Sequence, residues 1–447
     1  MTDRPWAGRR LHFVGIGGAG MSGLALVAHA LGAEVSGSDR VESPYMEPLR
    51  AEGIEPAIGH DAANVPAGAE VVVSTAIAGD NPEVGDDPTH RGRLLAEVSR
   101  LRRCVAVAGT HGKTTTACMV AHVLLETGGA PSYLIGGELR TTGRNADWGD
   151  GDWVVVEADE SDRSFLELAP DLAVVTNVEL DHHSTYRTER EIEAAFEAFA
   201  AAASTIVAWS GVPGRVLAQP RGLEHGSRTL LYGIERGDVA ATGVRLEAGG
   251  SRFRALGVDV ELRVPGEHNV LNALGALAAC REAGVEPTAA AAALATFTGA
   301  ARRFELVGTT PSGAAVFDDY AHHPTEVRET LQAARTFEPR RLVACFQPHL
   351  YSRTERLARE FGRALALADA ACVLDVYPAR ERAEDHPGVS GFAVAAATAD
   401  ASGGRRVYWT PTKADAERLL GSLLGEGDLL LTLGAGDVDR VARALVA

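Results

Sequence analysis

Three things are scarce or missing in this 447-residue chain: paired cysteines, long apolar runs and a surplus of positive charge. Cys104, Cys118, Cys280, Cys345 and Cys372 stand apart, with no C-x-x-C pair and no histidine at zinc-site spacing. That excludes a disulfide framework or a zinc centre and predicts reduced, packed thiols. No stretch reaches the roughly 18 consecutive apolar residues of a spanning helix. Residues 1–10 lack the apolar segment of a signal peptide. The sequence therefore points to the cytoplasm and to no membrane insertion. Lysine and arginine number 43 against 60 aspartates and glutamates, a net charge of −17. This argues against a broad surface tracking a phosphate backbone, and so against nucleic acid as a partner. It leaves a nucleotide open, because a phosphate site needs only a few N–H donors and one or two cations.

What is present is a strand, glycine turn and helix, used repeatedly. At ~150 residues per domain the length suits about three domains. The first opening has a strand at 11–14, a helix from about 21 to 31 and a strand ending near Ser38-Asp39. A second follows the basic and polar stretch 91–103, with a strand at 104–108, which places a boundary near residue 104. Strands at 153–156 and 172–176 continue this block, then Gly/Arg-rich loops, a β-hairpin region around 228–264 and a helix at 269–283. After Phe297-Thr298-Gly299 the pattern restarts, with strands at 316–318, 342–346, 372–376 and 429–433. The Ala-rich stretches sit in helical contexts, where alanine is simply a good former. The fold class is α/β, built from three doubly wound or related units.

Gly15-Ile16-Gly17-Gly18-Ala19-Gly20 satisfies G-x-G-x-x-G between a strand and a helix, and Asp39 ends the next strand. Taken alone, this reads as a nicotinamide dinucleotide site. Its physical content is narrower: backbone N–H groups at a helix start can approach a diphosphate closely, and UDP has one too. The second turn, Gly109-Thr110-His111-Gly112-Lys113-Thr114-Thr115, ends as a P-loop does, although Val107 stands at the first glycine position of the standard motif. Its amides can cradle phosphate, Lys113 can neutralise β/γ charge, and Thr114 offers a hydroxyl to Mg²⁺. Glu157-Ala158-Asp159-Glu160-Ser161-Asp162 and Asn177-Val178-Glu179-Leu180-Asp181-His182-His183 follow two further strands. A carboxylate and an imidazole at such strand ends can ligate Mg²⁺.

These segments resemble the Mur ligases of peptidoglycan synthesis. The resemblance spans essentially the whole chain: GIGGAGMSG at Gly15, GTHGKTTT at Gly109, EADESD at Glu157, DHHSTY at Asp181 and HNVLNA at His268. It continues through RRFE at Arg302, DDYAHHPTEV at Asp318, FQPHLYSRT at Phe346, DVYPARE at Asp375 and GAGD at Gly434. It implies a Rossmann-like UDP-sugar domain over 1–104, a P-loop ATPase domain over 105–299 and a Rossmann-like closing domain over 300–447 that brings the amino acid. It further implies ATP-dependent, Mg²⁺-requiring ligation of L-alanine to the lactyl carboxylate of UDP-N-acetylmuramate by a monomer or homodimer.

By the same resemblance Lys113 and Thr114 are the phosphate lysine and the Mg²⁺ threonine, and Glu157 and His182 are metal ligands, with His183 the alternative to His182. Lys113, Glu157 and His182 form the catalytic set, in an ATP turn of Gly109, Thr110, His111, Gly112, Lys113, Thr114 and Thr115. Asn269 and Asn272 match the segment that meets adenine, and Arg303 and Asp319 the pair presented by the closing domain. Gly15, Gly17, Gly18, Ala19, Gly20, Met21, Ser22 and Asp39 would serve the UDP-sugar. Tyr320, His322, His349 and Arg353 match the sugar and amino-acid end. At Leu350 the chain departs from the pattern, since many relatives carry a basic residue there. A sister ligase that attaches a preformed peptide to the same UDP-sugar, a dehydrogenase and a catalytically silent nucleotide sensor are the competing readings.

Overall fold

The computed structural model describes residues 4–217 and 228–447. Its strands form three sheets, of five, ten and six strands. The five-stranded sheet is parallel throughout and runs Ala57–Ile58, Glu34–Asp39, Arg10–Val14, Glu70–Val73, Thr89–His90. The first strand in sequence is thus central and its successors lie on opposite sides of it. At such a switch point a crevice opens beyond the carboxyl end of the strand, where the first glycine turn sits. The helix after that turn, Ala19–Ala30, starts two residues earlier than its apolar pattern suggests and buries Met21 through Ala28.

The ten-stranded sheet runs Val258–Leu262, Gly250–Ala255, Val239–Glu247, Arg228–Ile234, Thr205–Trp209, Leu172–Val175, Arg103–Ala108, Trp153–Glu157, Ser132–Leu139, Arg144–Asp147. Arg103–Ala108 pairs in parallel with both Leu172–Val175 and Trp153–Glu157. Cys104 through Ala108 are fully buried. Their unbroken apolar run, without alternation, is what a strand covered on both faces requires. The hairpin expected from residue 228 onward fails at its first pair. Arg228–Ile234 and Val239–Glu247 run parallel, with Tyr232 opposite Val239. The connection folds back through Glu235 and Gly237 at φ 57° and 97°, and Asp238 Oδ2 accepts the N–H of Leu231 at 2.8 Å. The Gly/Arg-rich loop before this region falls partly on 218–227, outside the described residues.

The six-stranded sheet runs Glu305–Thr309, Ala315–Asp319, Asp428–Leu433, Arg341–Phe346, Ala370–Val373, Arg406–Trp409, antiparallel only at its first pair. The strand expected at 372–376 ends at Val373. Just beyond it Asp375 Oδ1 accepts the N–H groups of Val376 at 3.0 Å and Gly391 at 2.7 Å, which turns the chain.

The basic and polar stretch before residue 104 holds a helix, Arg91–Ser99. All five cysteines are free and buried. Among the described residues no helix is long and apolar enough to cross a membrane. By internal contacts the chain divides into two compact units. One comprises Met1–Thr242, Arg254–Val260 and Leu271–Phe297, and the other Gly243–Phe253, Glu261–Val270 and Thr298–Ala447.

Candidate active site

The second glycine turn joins Arg103–Ala108 to the helix Lys113–Glu126. Gly109 takes φ 143°, and a Cβ there would lie 1.9 Å from Thr176 Oγ1, so only glycine fits. Gly112 takes φ 80° beside Asn272, whose Oδ1 also accepts from Thr116 Oγ1 at 3.3 Å. The end of the neighbouring strand laces the turn in place. Asn177 O accepts from Thr110 N at 3.1 Å, Asn177 Oδ1 from His111 N at 2.9 Å, and Thr176 Oγ1 donates to His111 O at 2.6 Å. His111 Nε2 lies 2.9 Å from Glu179 Oε2.

Lys113 turns its ammonium back over the loop, donating to Gly109 O at 2.5 Å and Thr110 O at 3.2 Å. It also meets Glu160 Oε2 at 2.9 Å and Oε1 at 3.1 Å. Burial acts to lower its pKa, but Glu160, Asp159 and Glu157 outweigh burial and raise it, so the charge is kept. Thr114 Oγ1 donates to Glu157 Oε1 at 2.9 Å, and Glu157 Oε2 accepts from Gly136 N at 2.7 Å. A hydroxyl and a carboxylate side by side at a strand end are the hard oxygen donors that Mg²⁺ takes, and the residues fit that ion. Thr115 is buried one residue further along the helix.

His182, at φ 52°, places Nε2 3.1 Å from Glu160 Oε1. The ligand atoms of Asp159, Glu160 and His182 lie within 4.8 Å of one another. Burial alone would lower the His182 pKa, but Glu160 and Asp181 reverse this and raise it. Burial would raise that of Asp159, but the charges of Arg91 and Lys113 hold it well below the usual carboxylate range. The acidic segment 157–162 thus enters two groupings, Glu157 with Thr114 and Glu160 with His182.

At the first turn, Gly15 N and Ile16 N both donate to Ser38 O, at 2.8 and 3.0 Å, and Gly17 N donates to Asp39 Oδ2 at 3.0 Å. Gly15 takes φ 79° and Gly18 is the N-cap of the helix that contains Ala19 and Gly20. Met21 and Ser22 are buried, with the Ser22 hydroxyl donating to Ala19 O at 3.1 Å. Asn145, from Arg144–Asp147 of the larger sheet, donates to that same carbonyl at 2.6 Å.

In the second unit Tyr320, His322, His349 and Arg353 form one cluster. The Tyr320 and His322 rings lie 5.4 Å apart, those of His322 and His349 6.0 Å, and Arg353 Nη1 is 3.4 Å from His349 Nδ1. Arg303 packs over the Tyr320 ring at 5.3 Å. Asp319 accepts from Phe304 N and Ala321 N, both at 2.8 Å, and burial pushes its pKa up to about 6 against the pull of Arg303. Asn269 lies one turn before Asn272 on the helix Glu267–Glu282 and donates to Pro265 O at 2.8 Å.

Three family models match in succession: the Mur ligase family catalytic domain over 10–95, the Mur ligase middle domain over 107–280 and the Mur ligase glutamate ligase domain over 302–436. The UDP-N-acetylmuramate–L-alanine ligase of Renibacterium salmoninarum is 45% identical, over 98% of this chain and 95% of that protein. The chain belongs to the Mur ligase family. Among solved Mur ligases, the UDP-N-acetylmuramate-alanine ligase of Thermotoga maritima superposes with a TM-score of 0.82 at 30% identity, covering 98% of both chains. A murein peptide ligase of Psychrobacter arcticus gives 0.71 at 27%, again over 98% of both.

Within this Mur ligase several side chains at the site escaped sequence reasoning. Glu160 stood in a quoted acidic run, but its burial between Lys113 and His182 is a tertiary fact. Asn177 and Thr176 shape the second turn from 65 to 66 residues away. Tyr377 stacks on His349 at 5.8 Å and its carbonyl accepts from Leu350 N at 3.0 Å. Leu350, where the chain departs from the family pattern, is buried at φ 69° just before the helix Tyr351–Leu365.

Proposed function

We propose that this Mur ligase joins L-alanine to the lactyl carboxylate of UDP-N-acetylmuramate, consuming ATP and releasing ADP and phosphate, for peptidoglycan synthesis in the cytoplasm. The observation that carries this is the set Lys113, Glu160, His182 and Glu157, with the Thr114 hydroxyl, beside a glycine turn. It lies in a chain aligned over nearly its full length with ligases of that name. The alternative, a ligase for preformed peptide, is disfavoured, because curated relatives at 42–46% identity carry the alanine name while the murein peptide ligase stands at 27%.

A carboxylate does not react with an amine at neutral pH, so it must first be activated. A carboxylate oxygen attacks the γ-phosphorus of ATP and ADP departs, leaving an acyl phosphate. The deprotonated amine of L-alanine then attacks the acyl carbon and expels phosphate. Two anions must meet in the first step, and Lys113 stabilises the charge on the transferring group. Thr114 and Glu157, with His182 nearby, would hold Mg²⁺, which supplies further charge neutralisation when bound. The amides of Gly109 to Thr115 hold the phosphates, Asn269 and Asn272 the adenine, and Arg303 and Asp319 the nucleotide from the closing domain. Gly15 to Ser22 and Asp39 take the UDP end. Tyr320, His322, His349 and Arg353 take the sugar and the amino acid. The domains divide near 104 and 299 on this reading.

Heavy oxygen placed in the carboxylate of UDP-N-acetylmuramate tests the mechanism, since the attacking oxygen becomes the P–O–C bridge and leaves with phosphorus. Mass spectrometry should find one labelled atom in inorganic phosphate per turnover and none in ADP. Label in AMP would show an adenylate instead, and label in neither would remove the acyl phosphate.

A further inference from the structure

Arg91 opens the helix Arg91–Ser99, directly after the edge strand Thr89–His90 of the five-stranded sheet. Its side chain is 19% exposed. One nitrogen, Nη2, donates to two carboxylates, Asp159 Oδ2 at 3.0 Å and Asp162 Oδ2 at 3.1 Å. The other, Nη1, lies at the first glycine turn: a Cβ built on Gly20 would stand 3.3 Å from it. One guanidinium therefore touches both the start of the helix that follows the first turn and the acidic loop whose next residue, Glu160, meets Lys113.

Residues 15–22 include no lysine or arginine, and the side chain that meets the turn's backbone, Asp39, is an acid. A diphosphate placed there would add negative charge beside a carboxylate, so a cation has to come from elsewhere in the fold. A guanidinium is planar, with its donors in a fixed fork, and anchoring one edge on carboxylates aims the remaining donors. Arg91 is anchored in this way, and among the described residues Nη1 makes no hydrogen bond.

We propose that Arg91 binds anionic oxygens of the UDP-sugar at the first glycine turn, with Asp159 and Asp162 as its positioning residues. The proposal rests on the UDP-sugar reading of that turn. The oxygens belong either to the diphosphate or to the lactyl carboxylate, and the two are separable. In both cases the residue that senses the sugar nucleotide is tied through Asp159 to the loop that holds Lys113.

Calorimetry on the full chain with UDP and with UDP-N-acetylmuramate, alongside the KM for ATP, provides the test for Arg91→Ala and Arg91→Lys. Arg91→Ala should weaken UDP-N-acetylmuramate binding by about 10- to 100-fold, the value of one or two charge-assisted hydrogen bonds. Arg91→Lys should fall between it and wild type, and the KM for ATP should move by less than about threefold. An equal loss for UDP assigns the contact to the diphosphate, whereas a loss confined to UDP-N-acetylmuramate assigns it to the carboxylate. Unchanged affinity for both ligands in Arg91→Ala overturns the inference. So does a rise in the ATP KM as large as the loss for the UDP-sugar, which would mean that the acidic loop has collapsed. Wild-type protein that binds ATP but neither UDP compound overturns the functional reading, and this inference with it.

Discussion

Both glycine turns follow a central parallel strand and open a helix, yet their charges are arranged in opposite ways. The second turn carries its own cation, Lys113, folded onto the loop carbonyls and held by Glu160 from the next strand end. The first carries an anion, Asp39, bonded to Gly17 N, and its nearby cation, Arg91, arrives from a helix more than 70 residues further along the chain. Steric freedom differs too. Gly109 is pressed against Thr176, whereas in the first turn a Cβ on Gly17 would meet the flexible end of Met46 at 2.7 Å and one on Gly18 only Gly15 O, at 3.4 Å. The same strand, turn and helix can thus carry its own cation or take one from a distant segment.

Removing the cation of the second turn should separate the two most sharply. Lys113→Ala should lower ligation on the order of a thousandfold and leave UDP-N-acetylmuramate affinity within about twofold of wild type by calorimetry. A loss of sugar-nucleotide affinity as severe as the loss of activity would merge the two sites into one. Steric freedom can be compared by thermal melting. Gly109→Ala should cost about 3 kcal/mol or more, through its positive φ and the clash with Thr176, while Gly18→Ala, at φ −75°, should stay within about 1 kcal/mol of wild type. Similar melting temperatures for the two variants would mean that the second turn has slack. The smallest effect belongs to Asp39→Ala. It should raise the KM for UDP-N-acetylmuramate by about three- to tenfold, through loss of one hydrogen bond that organises the turn, and leave the KM for ATP unchanged. A parallel rise in both would show that Asp39 supports the whole unit and not the first turn.

The inner strands beside the two turns, and the turns themselves, were legible in the sequence because each is written locally, whereas edge strands such as Ala57–Ile58, Thr89–His90 and Arg406–Trp409 carry no such signal. Cys104 to Ala108 form an apolar run, Gly109 and Gly112 supply the backbone freedom and Lys113 to Thr115 start the helix, all within a dozen residues. The role of Arg91 was not legible. Its partners lie 68 and 71 residues away, and in sequence it belongs to a basic, polar stretch next to a boundary. Glu160 was hidden for a related reason, since four acids within six residues look alike until burial singles out the one that meets both Lys113 and His182. The parallel pairing after Arg228 is not legible because turn residues mark where a strand ends but not which way the next strand pairs.

The pairing of Lys113 with Glu160 also bears on how firmly a nucleotide is gripped. Both oxygens of a fully buried glutamate engage the ammonium, so on the proposed reading an incoming phosphate competes there with a resident anion. The affinity gained at Lys113 is then a difference between two anions and not the full strength of one ion pair. On the proposed reading ADP, which lacks the γ-phosphoryl group, leaves Glu160 to reclaim the lysine, and that competition favours departure of the spent nucleotide.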